Sequence, residues 1–164
     1  MAAKKEKKKA KIKFLVLDVD GVLTDGGMYY SESGDEFKKF NTKDGLGIKK
    51  IMTVGVKVAF LSSGKNVNLI TNRAKLLGVK YIYVGMDEKL KILEQWCKEL
   101  NIGMDNIAYI GDDVNDLKVM EKVGVAACPA DAVEKIRKSA DVILLKKGGD
   151  GCAREFIERF IMAI

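Results

Sequence analysis

The stretch Phe14-Leu-Val-Leu-Asp-Val-Asp-Gly-Val-Leu-Thr-Asp25 constrains this chain more than any other. Phe14 to Leu17 form an apolar run without helical periodicity, the pattern of a strand buried on both faces of a parallel sheet. Two carboxylates inside such a strand would be costly to bury. Asp18 and Asp20 are therefore expected just past its end, where Gly21 lets the backbone turn and approach a ligand closely. Like charges so near each other require a counterion, and an all-oxygen site suits a hard divalent cation such as Mg2+. Taken alone, Asp-x-Asp-Gly reads first as an acidic turn capping the next segment, because short motifs match by chance. Partner residues later in the chain decide between the two.

The chain has 164 residues, room for one domain with a real core and not comfortably for two. Its formal net charge of +6 would suggest a polyanionic partner. However, Lys4, Lys5, Lys7, Lys8, Lys9, Lys11 and Lys13 against Glu6 account for all of it, which leaves the remainder neutral. Residues 1–13 are read as a solvated, disordered tail and not as a nucleic-acid-binding arm. Nor is the tail a signal peptide, since Asp18 and Asp20 break the apolar run behind it at once. No apolar stretch reaches membrane-spanning length. Cys97, Cys128 and Cys152 lie far apart with no Cys-x-x-Cys pair. They read as reduced thiols of a cytoplasmic protein, excluding zinc clusters and disulfides. With no histidine, Ser-His and Cys-His nucleophiles and His-ligated metals are also excluded. Acid–base chemistry falls to carboxylates, lysines or tyrosines.

Beyond the first strand, residues 26–30 and 36–40 flank a turn-rich segment at 31–35 and predict a β-hairpin. A helix opens at Asp44 and ends near Gly55, residues 56–61 form the next strand, and Ser62-Ser63-Gly64-Lys65 is a small-residue loop at its end. A helix over 66–77 stops at Gly78, followed by a strand over 81–84. Asp87 is expected to cap a helix over about 88–100, whose Leu90, Leu93, Trp96, Cys97 and Leu100 make a core-facing stripe. Strands are expected at 107–110, 125–128 and 142–145, with helices over 114–123, over 131–138 and from about 151. Strands alternating with helices specify an α/β fold, a three-layer doubly wound parallel sheet joined by right-handed crossovers. Ligands in such folds bind beyond the carboxyl ends of the strands, and there the polar clusters fall: Asp18/Asp20, Ser62/Ser63 and Asp112/Asp113.

Four pieces thus stand in order: Asp18-Val-Asp20-Gly21, Ser62-Ser63-Gly64, Lys89, and Gly111-Asp112-Asp113-Val-Asn-Asp116. Singly, each has a plain structural explanation as a cap, a solvated lysine or an acidic helix start. As an ordered set on an α/β framework they resemble the haloacid dehalogenase superfamily of phosphohydrolases. The resemblance implies that Asp18 attacks phosphorus to form an aspartyl-phosphate, and that Asp20 first protonates the leaving oxygen and then deprotonates the hydrolytic water. It implies that Mg2+ is held by Asp18, the Asp20 backbone carbonyl and Asp112, with Asp113 and Asp116 supporting that shell. Lys89 then supplies positive charge to the phosphoryl oxygens while a serine hydroxyl and backbone N–H groups cradle them. Counting forward from the strand favours Ser62 as that serine, and counting back from Arg73 favours Ser63.

No insertion large enough for a cap domain interrupts the core; the hairpin at 26–41 is a small flap. Residues 18–26, the run Lys39-Phe-Asn-Thr-Lys-Asp-Gly-Leu-Gly-Ile48, Gly111-Asp112-Asp113 and the run Gly148-Gly-Asp-Gly-Cys-Ala-Arg-Glu155 look similar to two kindred groups. These are the 3-deoxy-D-manno-octulosonate 8-phosphate phosphatases and the enzymes acting on nine-carbon sialic-acid-type 9-phosphates. The resemblance implies a homotetramer assembled through the hairpins, in which subunits complete each other's sites. It also implies a substrate-facing loop of Asn41, Thr42, Lys43, Asp44 and Gly45, with Lys49, Lys65, Arg73 and Lys89 as cations near the substrate, and Arg154 reaching the sugar. Lys65 tilts the choice toward the eight-carbon acid. The competing reading is a non-catalytic tetramerisation module of the same fold.

Overall fold

The computed structural model describes residues 11–162 of the chain. Strand β1 (Phe14–Leu17) lies at the centre of a parallel sheet with β4 (Lys57–Ser62), β5 (Tyr81–Val84), β6 (Ile107–Ile110), β7 (Val125–Cys128) and β8 (Val142–Ile143), in the order β5-β4-β1-β6-β7-β8. Every residue of β1 is fully buried, as its unbroken apolar run requires. Alternation along the strand sends Leu15 and Leu17 to one face, against α1 (Thr42–Thr53), α2 (Val67–Leu77) and α6 (Cys152–Phe156). Phe14 and Val16 point to the other face, against α3 (Lys89–Leu100), α4 (Leu117–Met120) and α5 (Glu134–Ser139). Phe14 packs edge-on to Trp96 of α3 and to Tyr81 of β5. Each large apolar side chain so buried contributes about 1.5–3 kcal/mol. The result is the three-layer α/β sheet that the alternation of strands and helices predicts.

From β1 the chain passes outward through β4 and β5, then returns to the opposite side of β1 for β6, β7 and β8. The register sets Leu17 beside Phe60 on one side and Ile110 on the other, so β1, β4 and β6 finish at one rim. This is the switch point at which ligands bind in open α/β sheets. Between β1 and α1 lie a tight turn over Val19–Leu23 and the small hairpin of β2 (Tyr29–Tyr30) and β3 (Glu36–Phe37).

Several local expectations are corrected. Asp87 does not cap α3: its carboxylate accepts the Tyr83 hydroxyl at 2.6 Å, and Glu88 precedes the helix. The helix expected over 114–123 is a tight turn, Val114–Asp116, followed by the single-turn α4. The expected strand over 142–145 stops at Ile143, because the N–H groups of Leu145 and Lys146 are taken by the Glu155 carboxylate. Residues 11–13, expected within a solvated tail, are instead bonded to the core. The Lys13 N–H donates to the Asn106 carbonyl, its carbonyl accepts the Lys57 N–H, and the Lys11 carbonyl accepts the Asn106 side chain. These main-chain bonds tie residues 11–13 to the sheet; residues 1–10 lie outside the described residues. Among the described residues no helix is long and apolar enough to cross a membrane.

Candidate active site

Asp18 leaves the end of β1 with its N–H bonded to the Ile110 carbonyl (3.0 Å) and its Oδ1 accepting the Val19 N–H (2.7 Å). The chain then makes a kinked turn in which Gly21 adopts φ +83°. A side chain there would also collide with Asp112, since a Cβ would sit 2.0 Å from Asp112 Oδ2. Glycine is therefore required twice over, for its backbone angle and for the approach of the Asp112 carboxylate. Farther along the chain, Gly148 and Gly149 press on the same turn. A Cβ on Gly148 would meet the Gly21 carbonyl oxygen at 1.9 Å, and the Gly149 N–H donates to the Val22 carbonyl.

Lys89, the first residue of α3, is buried and reaches Asp18 Oδ1 at 2.9 Å and Asp116 Oδ1 at 2.7 Å. Asp116 is fully buried. Its Oδ1 also accepts the Tyr109 hydroxyl (2.5 Å), and its Oδ2 accepts the backbone N–H groups of Asp112 (2.9 Å) and Asp113 (3.3 Å). Asp18, Asp112 and Asp116 each bring an oxygen within 4.8 Å of the other two. The donors already on Asp116 argue against its serving as a ligand. It fixes Lys89 and shapes the Asp112 loop, while Asp18 and Asp112 are left to face a cation.

The electrostatics fit that division. Burial, and then the neighbouring Asp116, push Asp18 well above the ordinary carboxylate range; the same two causes raise Asp112 to about 6. The Asp18 and Asp112 carboxyls lie side by side, within 4.8 Å, where a divalent cation would be held by both. Two carboxylates, with room for water on the open side, suit Mg2+. Burial works against the Lys89 ammonium, but Asp18 and Asp116 outweigh it and hold its pKa above the usual lysine value.

Asp18, Asp20, Ser62, Ser63, Asp112 and Asp113 line one open cleft of about 400 Å³, and Lys89 contacts Asp18 from the buried side. Ser62 Oγ accepts the Gly64 N–H at 3.0 Å, whereas Ser63 Oγ accepts the Asn115 side chain at 3.3 Å. Asp113 caps its own turn by accepting the Val114 N–H.

The expected substrate loop is placed differently. Asn41 caps α1 through the Lys43 N–H and donates to the Gly149 carbonyl. Thr42 and Lys43 are exposed, and so is Lys49 farther along α1. Asp44 is buried, with Oδ1 accepting the Arg154 N–H and Oδ2 without a partner. Gly45 is buried beside Arg73, which stacks over Phe40 and donates to the Asn41 carbonyl. Lys65 lines a separate hollow with Glu36 and the first turn of α2, and Arg154 pairs with Glu158. None of these residues lines the cleft around Asp18.

Two residues of the site escape sequence reading. Tyr109 sits in an apolar strand and looks like core. Its signal is a hydroxyl in a strand buried on both faces, which must find a partner. Lys38 lies in the hairpin, and its Nζ reaches Asp20 Oδ1 at 2.6 Å; alternation with Glu36 is the only hint.

Comparison with known proteins agrees with this geometry. A family profile described as haloacid dehalogenase-like hydrolase matches residues 82–156. The 3-deoxy-D-manno-octulosonate 8-phosphate phosphatase KdsC of Escherichia coli K12 is 39% identical over 152 residues, 93% of this chain and 80% of that protein. The enzyme of the same name from Moraxella catarrhalis, solved with magnesium, phosphate and KDO, superposes with TM-score 0.88 at 37% identity, covering 93% of this chain and 87% of that one. A probable YrbI family phosphatase from Pseudomonas syringae superposes with TM-score 0.89 at 43% identity, covering 93% and 86%.

Proposed function

Because this chain belongs to the haloacid dehalogenase-like hydrolases, within the branch of the 3-deoxy-D-manno-octulosonate 8-phosphate phosphatases, we propose that it hydrolyses the phosphomonoester of 3-deoxy-D-manno-octulosonate 8-phosphate. The observation that carries the reading is the buried Lys89 ammonium clamped between Asp18 and Asp116, with Asp112 against Asp18 and Asp20 two residues away on the open side.

In this reading a carboxylate oxygen of Asp18 attacks phosphorus in line as the bond to the sugar oxygen breaks, giving an aspartyl-phosphate. Asp20 gives its proton to the departing oxygen. It then removes a proton from the water that attacks the same phosphorus and frees Asp18. Lys89 holds Asp18 in place and offsets charge on the transferring group. Ser62, which already accepts the Gly64 N–H, keeps its O–H to donate to a phosphoryl oxygen. Ser63 is the second such donor at the rim. Asp18 and Asp112, together with the Asp20 carbonyl, would hold Mg2+, and the ion would supply positive charge to the phosphoryl oxygens. Asp113 and Asp116 keep the Asp112 loop in register.

The open cleft is consistent with walls supplied by other subunits. The hairpin shows Met28, Tyr29, Tyr30 and Phe37 to solvent at 44–72% exposure, an apolar patch suited to burial between copies in a homotetramer. Asn41–Gly45, Lys49, Lys65, Arg73 and Arg154 then act on the sugar only where a neighbouring copy completes the site. Three buried, free cysteines accord with a cytoplasmic protein.

The test is phosphate release in Mg2+ from the eight-carbon 8-phosphate and a nine-carbon 9-phosphate, with Asp18→Asn alongside. The expected result is a higher kcat/KM for the eight-carbon ester and at least a 1,000-fold loss, roughly, in Asp18→Asn. Preference for the nine-carbon ester would move the substrate to the sister activity. An inert, correctly assembled wild-type tetramer would favour a non-catalytic module, and an active Asp18→Asn would remove the aspartyl-phosphate.

A further inference from the structure

The hairpin is exposed along most of its length, yet one of its side chains turns inward. Lys38 is only 8% exposed, and its ammonium sits between Asp20 Oδ1 at 2.6 Å and Glu36 Oε1 at 2.9 Å. Its neighbour Lys39 is 69% exposed and only reaches within 4.0 Å of Asp25. Ordering a long lysine on an otherwise solvated hairpin has an entropic cost, so the pair of carboxylates that hold it is what keeps it there. Asp18 is anchored by Lys89 and by the Val19 N–H. Asp20 is 41% exposed at the cleft, and the side-chain bond that holds it comes from Lys38. Its other oxygen faces the Ser62–Gly64 loop, 3.3 Å from where a Cβ on Gly64 would stand.

We propose that Lys38 is a positioning residue for Asp20: the hairpin, braced by the Lys38–Glu36 pair, sets the direction in which the acid–base carboxylate points into the cleft. The inference rests on the phosphatase reading and adds to it a residue of the flap that works through Asp20 and not by holding substrate. Correct aim matters because a displacement of about 1 Å can lower a rate about 100-fold. The flap is thereby coupled to the chemistry, and any copy of the chain that packs on the hairpin sets the aim of Asp20 as well.

The experiment is a double-mutant cycle on the full-length chain in Mg2+, with p-nitrophenyl phosphate as probe so that activity remains measurable when Asp20 is replaced. Lys38→Met is expected to lower kcat by about 10- to 100-fold with KM nearly unchanged, and Lys38→Arg to recover most of it. In an Asp20→Asn background, Lys38→Met should have no further effect, because residues acting as one unit are not additive. Lys39→Met, which removes the same charge from the same hairpin, should match wild type. The proposal is overturned if Lys38→Met costs the same factor in both backgrounds, which marks a structural role. A raised KM with unchanged kcat, which marks a substrate contact, overturns it as well. Crystal structures of wild type and Lys38→Met read the aim of Asp20 independently of turnover. An unchanged Asp20 rotamer would overturn the proposal even if the chain released no phosphate at all, an outcome that would separately remove the phosphatase reading.

Discussion

The inner and outer halves of the cleft are built on opposite plans. On the inner side Asp18, Lys89, Tyr109 and Asp116 are all buried, and Asp116 alone takes four hydrogen-bond donors. On the outer side Asp20 and Asp113 face solvent, Asp20 held by the hairpin's Lys38 and Asp113 by backbone N–H groups of its own turn. Charges in the inner half are desolvated and strong, and their positions are set by the core. Those in the outer half are screened and depend on a hairpin and a turn. The division suits a reaction in which charge on phosphorus must be met by a fixed field, while the proton donor must admit substrate and release product.

The contrast is most exposed to failure at Lys89. Lys89→Met removes the one ammonium between Asp18 and Asp116 and leaves two buried carboxylates facing each other. Urea denaturation of the metal-free protein should show a loss of about 3–5 kcal/mol; a loss under about 1 kcal/mol would mean that the inner half is not electrostatically committed.

Asp44 sharpens the comparison, because it is as buried as Asp18 but has no ammonium within bonding distance. Burial raises it to about 6 against an ordinary 3.8, although the Arg154 backbone N–H acts the other way. A folded-state value above the unfolded one means that full stability is present below about pH 4 and is lost as pH rises through about 6. Replacing this group by Asp44→Asn should remove that slope. Between about pH 4 and 6.5 the variant should gain on wild type by about 2–3 kcal/mol, measured as the difference in urea midpoint stability across the window. Parallel stability curves would show that Asp44 finds a partner in solution.

The smallest effect belongs to the outer half. Asp113→Ala removes one cap from a short turn and should cost about 1 kcal/mol of stability, read from thermal unfolding. A cost comparable to that of Lys89→Met would erase the distinction between the halves.

The same division explains what is legible in the sequence. Asp18, Asp20 and Asp112 stand out because each follows an apolar run at a strand exit, and the switch-point topology brings such exits together; Lys89, at the start of a helix, is legible only as a member of the ordered set that resembles the family. Tyr109 fits its apolar strand and hides there. Lys38 reaches Asp20 across 18 residues, and the pattern that predicts the hairpin does not say which of its lysines turns inward. Asp44 reads as a site residue only through the family resemblance, and the turn at Gly151 brings the Arg154 N–H onto it from 110 residues away. The end of β8 is hidden from sequence for the same reason, since Glu155 competes for the N–H groups that would have extended the ladder.

The glycine pair at 148 and 149 lies flat against the turn that carries Asp20, with no space for a side chain between them. A nascent chain emerging from the ribosome therefore holds nucleophile, serines and lysine long before it holds a working cleft. The turn is seated only once Gly149 has been synthesised and has folded back onto Val22, so the cleft waits on a segment made well over a hundred residues after the nucleophile.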